Sequence, residues 1–207
     1  MGRTDEQLPA EELGAVLRDV VGAIEPRGLR YAVIGGLAST INGRPRWSDD
    51  IDLLVTKTEA LDVLDALRGT GFETEETDPG WIYKAFREPI QVDLIFKLKG
   101  DIYLDDDLLA HARRAEFGGC EATFAGPEDM IVIKAVVHDE HTPRHWNDAL
   151  AMLAVGEVDW AYLLERARFG ARRVLSLLVY AQSNDLIVPD DVVARLYASV
   201  FGQNSPS

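Results

Sequence analysis

The sequence predicts an α+β fold: a mixed β-sheet flanked by helices, followed by a C-terminal helical bundle. Short apolar runs broken by glycine and proline fill the first part of the chain. Within them, Ile90, Val92, Leu94 and Phe96 fall on one face and Gln91, Asp93 and Ile95 on the other, which is the period of a strand. After Pro127, five consecutive segments carry helical spacing with no strand pattern between them.

The elements follow in order. From Pro9, the residues Leu13, Val16, Leu17, Val20, Val21 and Ile24 recur at three-four spacing behind Glu11 and Glu12, predicting an amphipathic helix with the acidic first turn that the helix dipole favours. Arg30 to Gly35 reads as a short buried strand running into Gly35-Gly36, with a brief helix over 37–42. Asp50 to Val55 is a second strand, Thr58 to Arg68 a helix held by Leu61, Leu64 and Leu67, and Trp81 to Phe86 a third strand. Asp105-Asp106-Asp107 reads as a helix cap and a solvated first turn. Segments 127–138, 144–154, 158–168, 171–183 and 189–200 read as helices, with Pro127 and Pro189 suited to first helical positions. The expected division is a sheet-containing domain over 1–125 and a helical domain over 126–207, ending in a frayed tail from Gly202.

A chain of 207 residues, 47% of them hydrophobic, is long enough for one compact core or for a larger and a smaller one. Cys120 is the single cysteine, which excludes an internal disulfide, a thiol-rich metal site and a Cys-Cys redox pair. The opening Met-Gly-Arg-Thr-Asp-Glu-Gln lacks the apolar core of a signal peptide, and no stretch approaches the roughly 18 apolar residues of a membrane span. A cytoplasmic protein without a membrane partner is expected. The formal net charge of -14 opposes non-specific binding of polyanions and favours a small or cationic partner over RNA.

The chemistry concentrates in Asp50-Ile51-Asp52. Strand alternation sends both carboxylates to one face and Ile51 to the other. Two adjacent carboxylates repel, and a hard cation between them removes the conflict, because magnesium takes oxygen ligands at ~2.1 Å. Asp93, on a neighbouring strand and likewise on a polar face, supplies a third acid, enough for two ions roughly 3.5–4 Å apart to clamp an in-line phosphoryl displacement. Upstream, Gly35-Gly36 ends a strand and opens a helix, so unhindered backbone amides can approach phosphate oxygens, with Ser39 offering a hydroxyl.

Val33-Ile34-Gly35-Gly36, then Asp50-Ile51-Asp52-Leu53-Leu54-Val55, then Val92-Asp93-Leu94-Ile95 resembles the DNA polymerase β-type nucleotidyltransferase superfamily. The ordered triple is far more specific than any one piece. The resemblance implies the α/β nucleotidyltransferase fold, a catalytic domain over 1–125, and transfer of a nucleoside monophosphate from a nucleoside triphosphate to an acceptor hydroxyl. It implies two Mg2+ ions, replaceable by Mn2+, with Asp50 and Asp52 as ligands of both and Asp93 as ligand of the one that activates the acceptor. Gly35 and Gly36 would hold the triphosphate.

The lead-in Arg46-Trp47-Ser48-Asp49 is similar to the Arg-x-Thr/Ser segment of abortive-infection toxin-like (AbiEii-like) bacterial nucleotidyltransferases, which puts Arg46 and Ser48 among the nucleotide contacts and leaves Asp49 a bystander. Glu128 to Lys134 looks like the helix after the catalytic domain in that subgroup, whose lysine faces the nucleotide, so Lys134 joins them. Where the subgroup continues Arg-x-x-Lys-Asp, this chain has Asn147 in place of the lysine in Arg144-His145-Trp146-Asn147-Asp148. That likeness also implies a possible toxin-antitoxin setting with a cognate antitoxin. Overall the resemblance spans roughly residues 30–150 and is strongest for the triple.

Blander readings stand beside these. Asp-x-Asp alone is common in turns, Gly-Gly is more often a tight turn, and Asp93 alone could be a satisfied edge-strand acid. Lys134 could merely snorkel along an apolar helix, and Arg44 and Arg46 could be loop solubilisers or triphosphate clamps. His138, His141 and His145, with Asp139 and Glu140 between, invite a zinc reading. Thr142-Pro143 breaks the helix there and favours a polar connection instead.

Three functional classes remain. One is the nucleotidyltransferase, acting on tRNA, a protein or a small molecule. Another is the same scaffold kept as a silent nucleotide-binding or toxin-antitoxin module. The third, an Asp-x-Asp glycosyltransferase, leaves Gly35-Gly36 and Asp93 unexplained.

Overall fold

Alternation along the strands builds the sheet. The computed structural model describes residues 8–139, 141–155 and 157–202; the expectations for the first seven residues, Glu140 and the tail beyond Gly202 lie outside the described residues. By contact the described chain divides into two compact units. One comprises the chain up to Ile41, Pro45–Leu98 and Tyr103–Gly126; the other comprises Asn42–Arg44, Lys99–Ile102 and the chain from Pro127 onward.

The first unit holds β1 (Tyr31–Val33), β2 (Asp50–Val55), β3 (Glu73–Asp78), β4 (Ile82–Arg87), β5 (Ile90–Ile95), β6 (Arg113–Phe117) and β7 (Cys120–Phe124). They form one mixed sheet in the order β3-β4-β5-β2-β1-β7-β6. β2 pairs with β5 in parallel and with β1 antiparallel. Ile51 and Leu53 are fully buried while Asp50 and Asp52 are only partly so, and Val92 and Leu94 alternate in the same way with Gln91 and Asp93. One face of the sheet centre is therefore core and the other carries acids.

The helices of this unit follow the same logic. α1 (Ala10–Ile24) buries Leu13, Val16, Leu17, Val20, Val21 and Ile24. At ~1.5–3 kcal/mol per large apolar side chain, that stripe is what holds the helix to the sheet, since Pro9 supplies no side-chain cap. α2 (Gly35–Ile41) begins at the first glycine, two residues earlier than the apolar pattern suggests. α3 (Ala60–Gly69) buries Val63, Leu64 and Leu67, whereas Leu61, expected in its apolar staple, is 49% exposed. α4 (Asp106–Ala110) starts as the aspartate run predicts, with Asp105 accepting a hydrogen bond from Leu108 N–H at 2.8 Å.

The second unit is helical: α5 (Pro127–Val137), α6 (Arg144–Val155), α7 (Trp160–Arg166), α8 (Ala171–Ser183) and α9 (Asp190–Phe201). α5 is its axis, with every residue from Pro127 to Val136 buried. Charged groups on such a helix need partners, and each has one. Glu128 accepts from Asp159 N–H at 2.8 Å, Asp129 meets Arg166 at 2.6 Å and the Tyr162 hydroxyl at 2.7 Å, and Lys134 meets Asp148 at 3.1 Å. Among the described residues no helix is long and apolar enough to cross a membrane.

Candidate active site

Register places the acids. In the parallel β2–β5 pair, Asp52 stands opposite Asp93 and Asp50 opposite Gln91. Period-two alternation then puts Asp50, Asp52, Gln91 and Asp93 on one face. One oxygen from each of Asp50, Asp52 and Asp93 lies within 4.8 Å of the others, and all three residues are partly buried. Among the described residues this is the one group of three or more side chains spaced to share a metal ion.

The glycine turn closes on this cluster. Gly35 takes a left-handed φ of +66°, and a Cβ there would overlap Asp52 Oδ2. A Cβ on Gly36 would overlap the Ser48 hydroxyl and come within 3.0 Å of Arg46 Nη2. Both positions are thus glycine because side chains of the site occupy the space a Cβ needs. Ile34 N–H donates to the Asp52 carbonyl at 2.9 Å, tying the turn to β2.

The residues around the acids have distinct jobs. The Ser48 hydroxyl donates to Asp50 Oδ1 at 2.9 Å. Arg46 donates to the Trp47 carbonyl at 2.8 Å, so its guanidinium lies folded against its own loop at the start of α2. Ser39, fully buried, donates to the Gly35 carbonyl at 2.7 Å and braces the turn instead of presenting its hydroxyl outward. Thr40 braces Gly36 in the same way at 3.2 Å. On the other side, Asp93 accepts from Lys84 at 3.1 Å and from Gln91 at 2.7 Å. Arg46 and Ser48 also line a cavity of about 340 Å³, walled by Leu13, Pro45, Trp47 and Phe117.

The site tests favourably for divalent cations. Three carboxylate oxygens are the donors that magnesium or manganese prefers, and like charges this close are stabilised by a cation between them. The close packing of Gly35 and Gly36 against Asp52, Ser48 and Arg46 brings free backbone amides beside the same charges.

Other residues singled out in the sequence lie in the helical unit. Lys134 is buried there, its ammonium engaged by Asp148 at 3.1 Å with His145 Nδ1 at 3.5 Å. Arg44 approaches the same Asp148 at 3.6 Å. His138 packs against Trp146 with ring centroids 4.9 Å apart and the rings tilted by 43°, and among the described residues the three histidines form no shared ligand group.

The model of the family described as nucleotidyl transferase of unknown function (DUF2204) matches residues 14–158, well over half of the chain. The chain belongs to that family. No curated protein matches the sequence. Solved structures share the fold of this nucleotidyl transferase family member. An antigenic nucleotidyltransferase-like protein from Paracoccidioides brasiliensis aligns with a TM-score of 0.57 at 15% identity, covering 95% of this chain and 99% of that one. ANT(2'')-Ia in complex with adenylyl-2''-tobramycin gives 0.55 at 18% identity, over 84% and 98%. The lincosamide antibiotic adenylyltransferase LnuA, lincomycin-bound, gives 0.51 at 15%, over 72% and 99%. The expected nucleotidyltransferase fold with its helical C-terminal region is therefore present.

Lys84 and Gln91 escaped the sequence reading. A lysine on a strand is usually a solvated one, and its pairing with Asp93 depends on the antiparallel β4–β5 register, which residue order alone does not reveal. The alternation that marked Asp93 did place Gln91 on the same face.

Proposed function

We propose that this protein transfers a nucleoside monophosphate from a nucleoside triphosphate to the hydroxyl of a small molecule, releasing pyrophosphate. The observation that carries this reading is the convergence of Asp50, Asp52 and Asp93 beside the Gly35-Gly36 turn. In it, Asp50 and Asp52 would hold the divalent ions, with Asp93 completing the ligand set on the acceptor side. Bound Mg2+ or Mn2+ would supply charge neutralisation of the triphosphate and acidify the acceptor hydroxyl.

The protein's own residues do the positioning. Backbone amides of Gly35 and Gly36 receive phosphate oxygens, and Arg46, released from the Trp47 carbonyl, adds a cation to them. Ser48 orients Asp50 through its hydrogen bond, and Ser39 keeps the turn in shape from behind. Holding donor and acceptor in line and balancing charge account for most of the rate in phosphoryl transfer. Lys134 enters as a nucleotide contact only by resemblance, and its pairing with Asp148 makes it a weaker candidate than the residues of the sheet unit.

A small or cationic acceptor fits the net charge of -14, which disfavours RNA. The fold is also that of LnuA, solved with lincomycin, and of ANT(2'')-Ia, solved with an adenylylated tobramycin. A cytoplasmic setting follows for an enzyme that consumes nucleoside triphosphates.

The experiment is direct. Purified protein is incubated with each α-labelled triphosphate, Mg2+ and either a small-molecule extract, tRNA or total protein from cells. Label appearing in the small-molecule fraction, lost on Asp52→Ala and on chelation, supports the reading. Label on tRNA or protein keeps the transferase and replaces the acceptor, the outcome expected of a toxin-like enzyme. Calorimetric binding of triphosphate with no transfer to any fraction would instead establish the silent scaffold.

A further inference from the structure

Asp93 is gripped on one oxygen. Lys84 Nζ and Gln91 Nε2 both donate to Oδ1, at 3.1 and 2.7 Å, and neither bond uses Oδ2. Three neighbouring strands create this arrangement. Lys84 on β4 stands opposite Asp93 on β5, and Asp93 stands opposite Asp52 on β2, so the row reads cation, acid, acid across the sheet. Gln91, two residues before Asp93 on the same face, stands opposite Asp50. The Lys84 and Asp93 side chains are only 24% and 13% exposed, so their attraction is screened less than that of a surface pair.

Charge gives the lysine a second consequence. The three carboxylates and the ammonium together carry two formal negative charges, which a single divalent ion balances. A second divalent ion would leave the partly buried site with excess positive charge. Arrival of a triphosphate reverses that surplus.

We propose that Lys84 and Gln91 are positioning residues that pin Asp93 Oδ1, leave Oδ2 to a cation, and through the Lys84 charge hold back full metal loading until a triphosphate is bound. This rests on the reading of the three acids as a divalent-cation site. Lys84 thus stands in for an ion at the resting site and keeps the acids from repelling one another when no metal is present. Gln91, uncharged, contributes orientation alone.

The test is Mn2+ binding to the full chain, followed by electron paramagnetic resonance of free manganese, with and without a non-hydrolysable triphosphate. Wild type, Lys84→Met, Lys84→Arg and Asp93→Asn are compared, with Lys84→Gln replacing Lys84→Met if circular dichroism shows the latter misfolded. Without nucleotide, the neutral variant should bind Mn2+ about tenfold more tightly than wild type, because one positive charge near the site has gone. Lys84→Arg should behave as wild type, Asp93→Asn should bind more weakly, and the triphosphate should tighten wild type more than the neutral variant. Wild-type and neutral-variant isotherms that superimpose, while Asp93→Asn is weakened, would overturn this inference and leave the metal site standing. A wild type that takes up no Mn2+ even with triphosphate would overturn the metal site itself and the inference with it.

Discussion

Asp52 Oδ2 occupies the space that a Cβ on Gly35 would need, and Gly35 holds the left-handed φ of +66° that leaves the turn open on that side. The Asp52 carboxylate and the Gly35 backbone are therefore packed as one unit. A methyl group at position 35 meets two penalties, the backbone strain of roughly 1–2 kcal/mol for a non-glycine residue and displacement of Asp52. Gly35→Ala should lower stability by about that amount and reduce turnover by at least about 100-fold, a 1 Å misplacement at such a site being enough for that loss. Urea denaturation and the label-transfer assay measure the two separately, and a fully active Gly35→Ala would show that the contact does not matter.

The three acids make an opposite demand on stability. One oxygen from each lies within 4.8 Å of the others, so removing one charge relieves repulsion. Asp52→Asn should cut transfer by about 1,000-fold, the scale of losing a preorganised electrostatic group. Its melting temperature in metal-free buffer should be no lower than wild type, and the rise that Mg2+ or Mn2+ gives the wild type should shrink. An Asp52→Asn protein that melts earlier and still gains the full metal increment would remove Asp52 from the ligand set.

How much of this could be read from residues alone depends on locality. Asp50 and Asp52 were legible because residues two apart on a strand share a face whatever the partner strand. Their meeting with Asp93 was expected from its polar strand face together with the ordered resemblance, since it arises from parallel pairing of segments some 40 residues apart. Lys84 was not legible at all, for the same reason of register. β3 carries Glu73, Glu75, Glu76 and Asp78 with almost no apolar alternation, because it is an edge strand exposed at every residue but Thr74. The β6–β7 hairpin left one usable signal, Gly118-Gly119 between two short runs, and the mixed Arg113-Arg114 start of β6 hid it. The five C-terminal helices, by contrast, came out within about two residues at most ends, because three-four spacing is a local property.

Ser48 offers a finer probe of the site. Its buried hydroxyl donates to Asp50 at 2.9 Å, a hydrogen bond to a charged group and so worth ~1.5–3 kcal/mol. Ser48→Ala should reduce transfer by roughly 10- to 100-fold while leaving triphosphate binding within about threefold, if orientation of Asp50 is its role. A loss confined to triphosphate affinity would assign Ser48 to the nucleotide instead.

In the helical unit, Asp129 receives both Arg166 and the Tyr162 hydroxyl, and the Arg166 and Asp129 side chains are only 1% and 2% exposed. Removing one partner of a buried ion pair strands the other charge, which costs about 3–5 kcal/mol. Asp129→Ala should therefore destabilise the protein by that amount in urea denaturation. Tyr162→Phe, which leaves the ion pair intact, should cost about half as much. Equal and small effects from both would mean that water reaches Arg166 when its partner is gone.

Alkaline pH tests the other end of the sheet unit. The Tyr31 hydroxyl is buried on β1, donates to Glu25 at 2.7 Å and accepts from Thr123 N–H at 3.2 Å. Burial first, and the Glu25 carboxylate second, push its pKa up to about 12 from the usual value of 10.0. Because the folded value lies above the unfolded one, the unfolded chain loses this proton first as pH rises. The stabilisation is complete below about pH 10 and drains away as pH climbs toward 12. Tyr31→Phe cannot ionise, so the stability gap between wild type and variant should be constant from pH 7 to 9 and narrow steadily from 10 to 12. Chemical denaturation across that range measures the gap, and absorbance at the phenolate band should show one of the six tyrosines titrating late. A gap that stays constant through pH 12 would place the Tyr31 hydroxyl in contact with water and remove Glu25 as the group holding its proton.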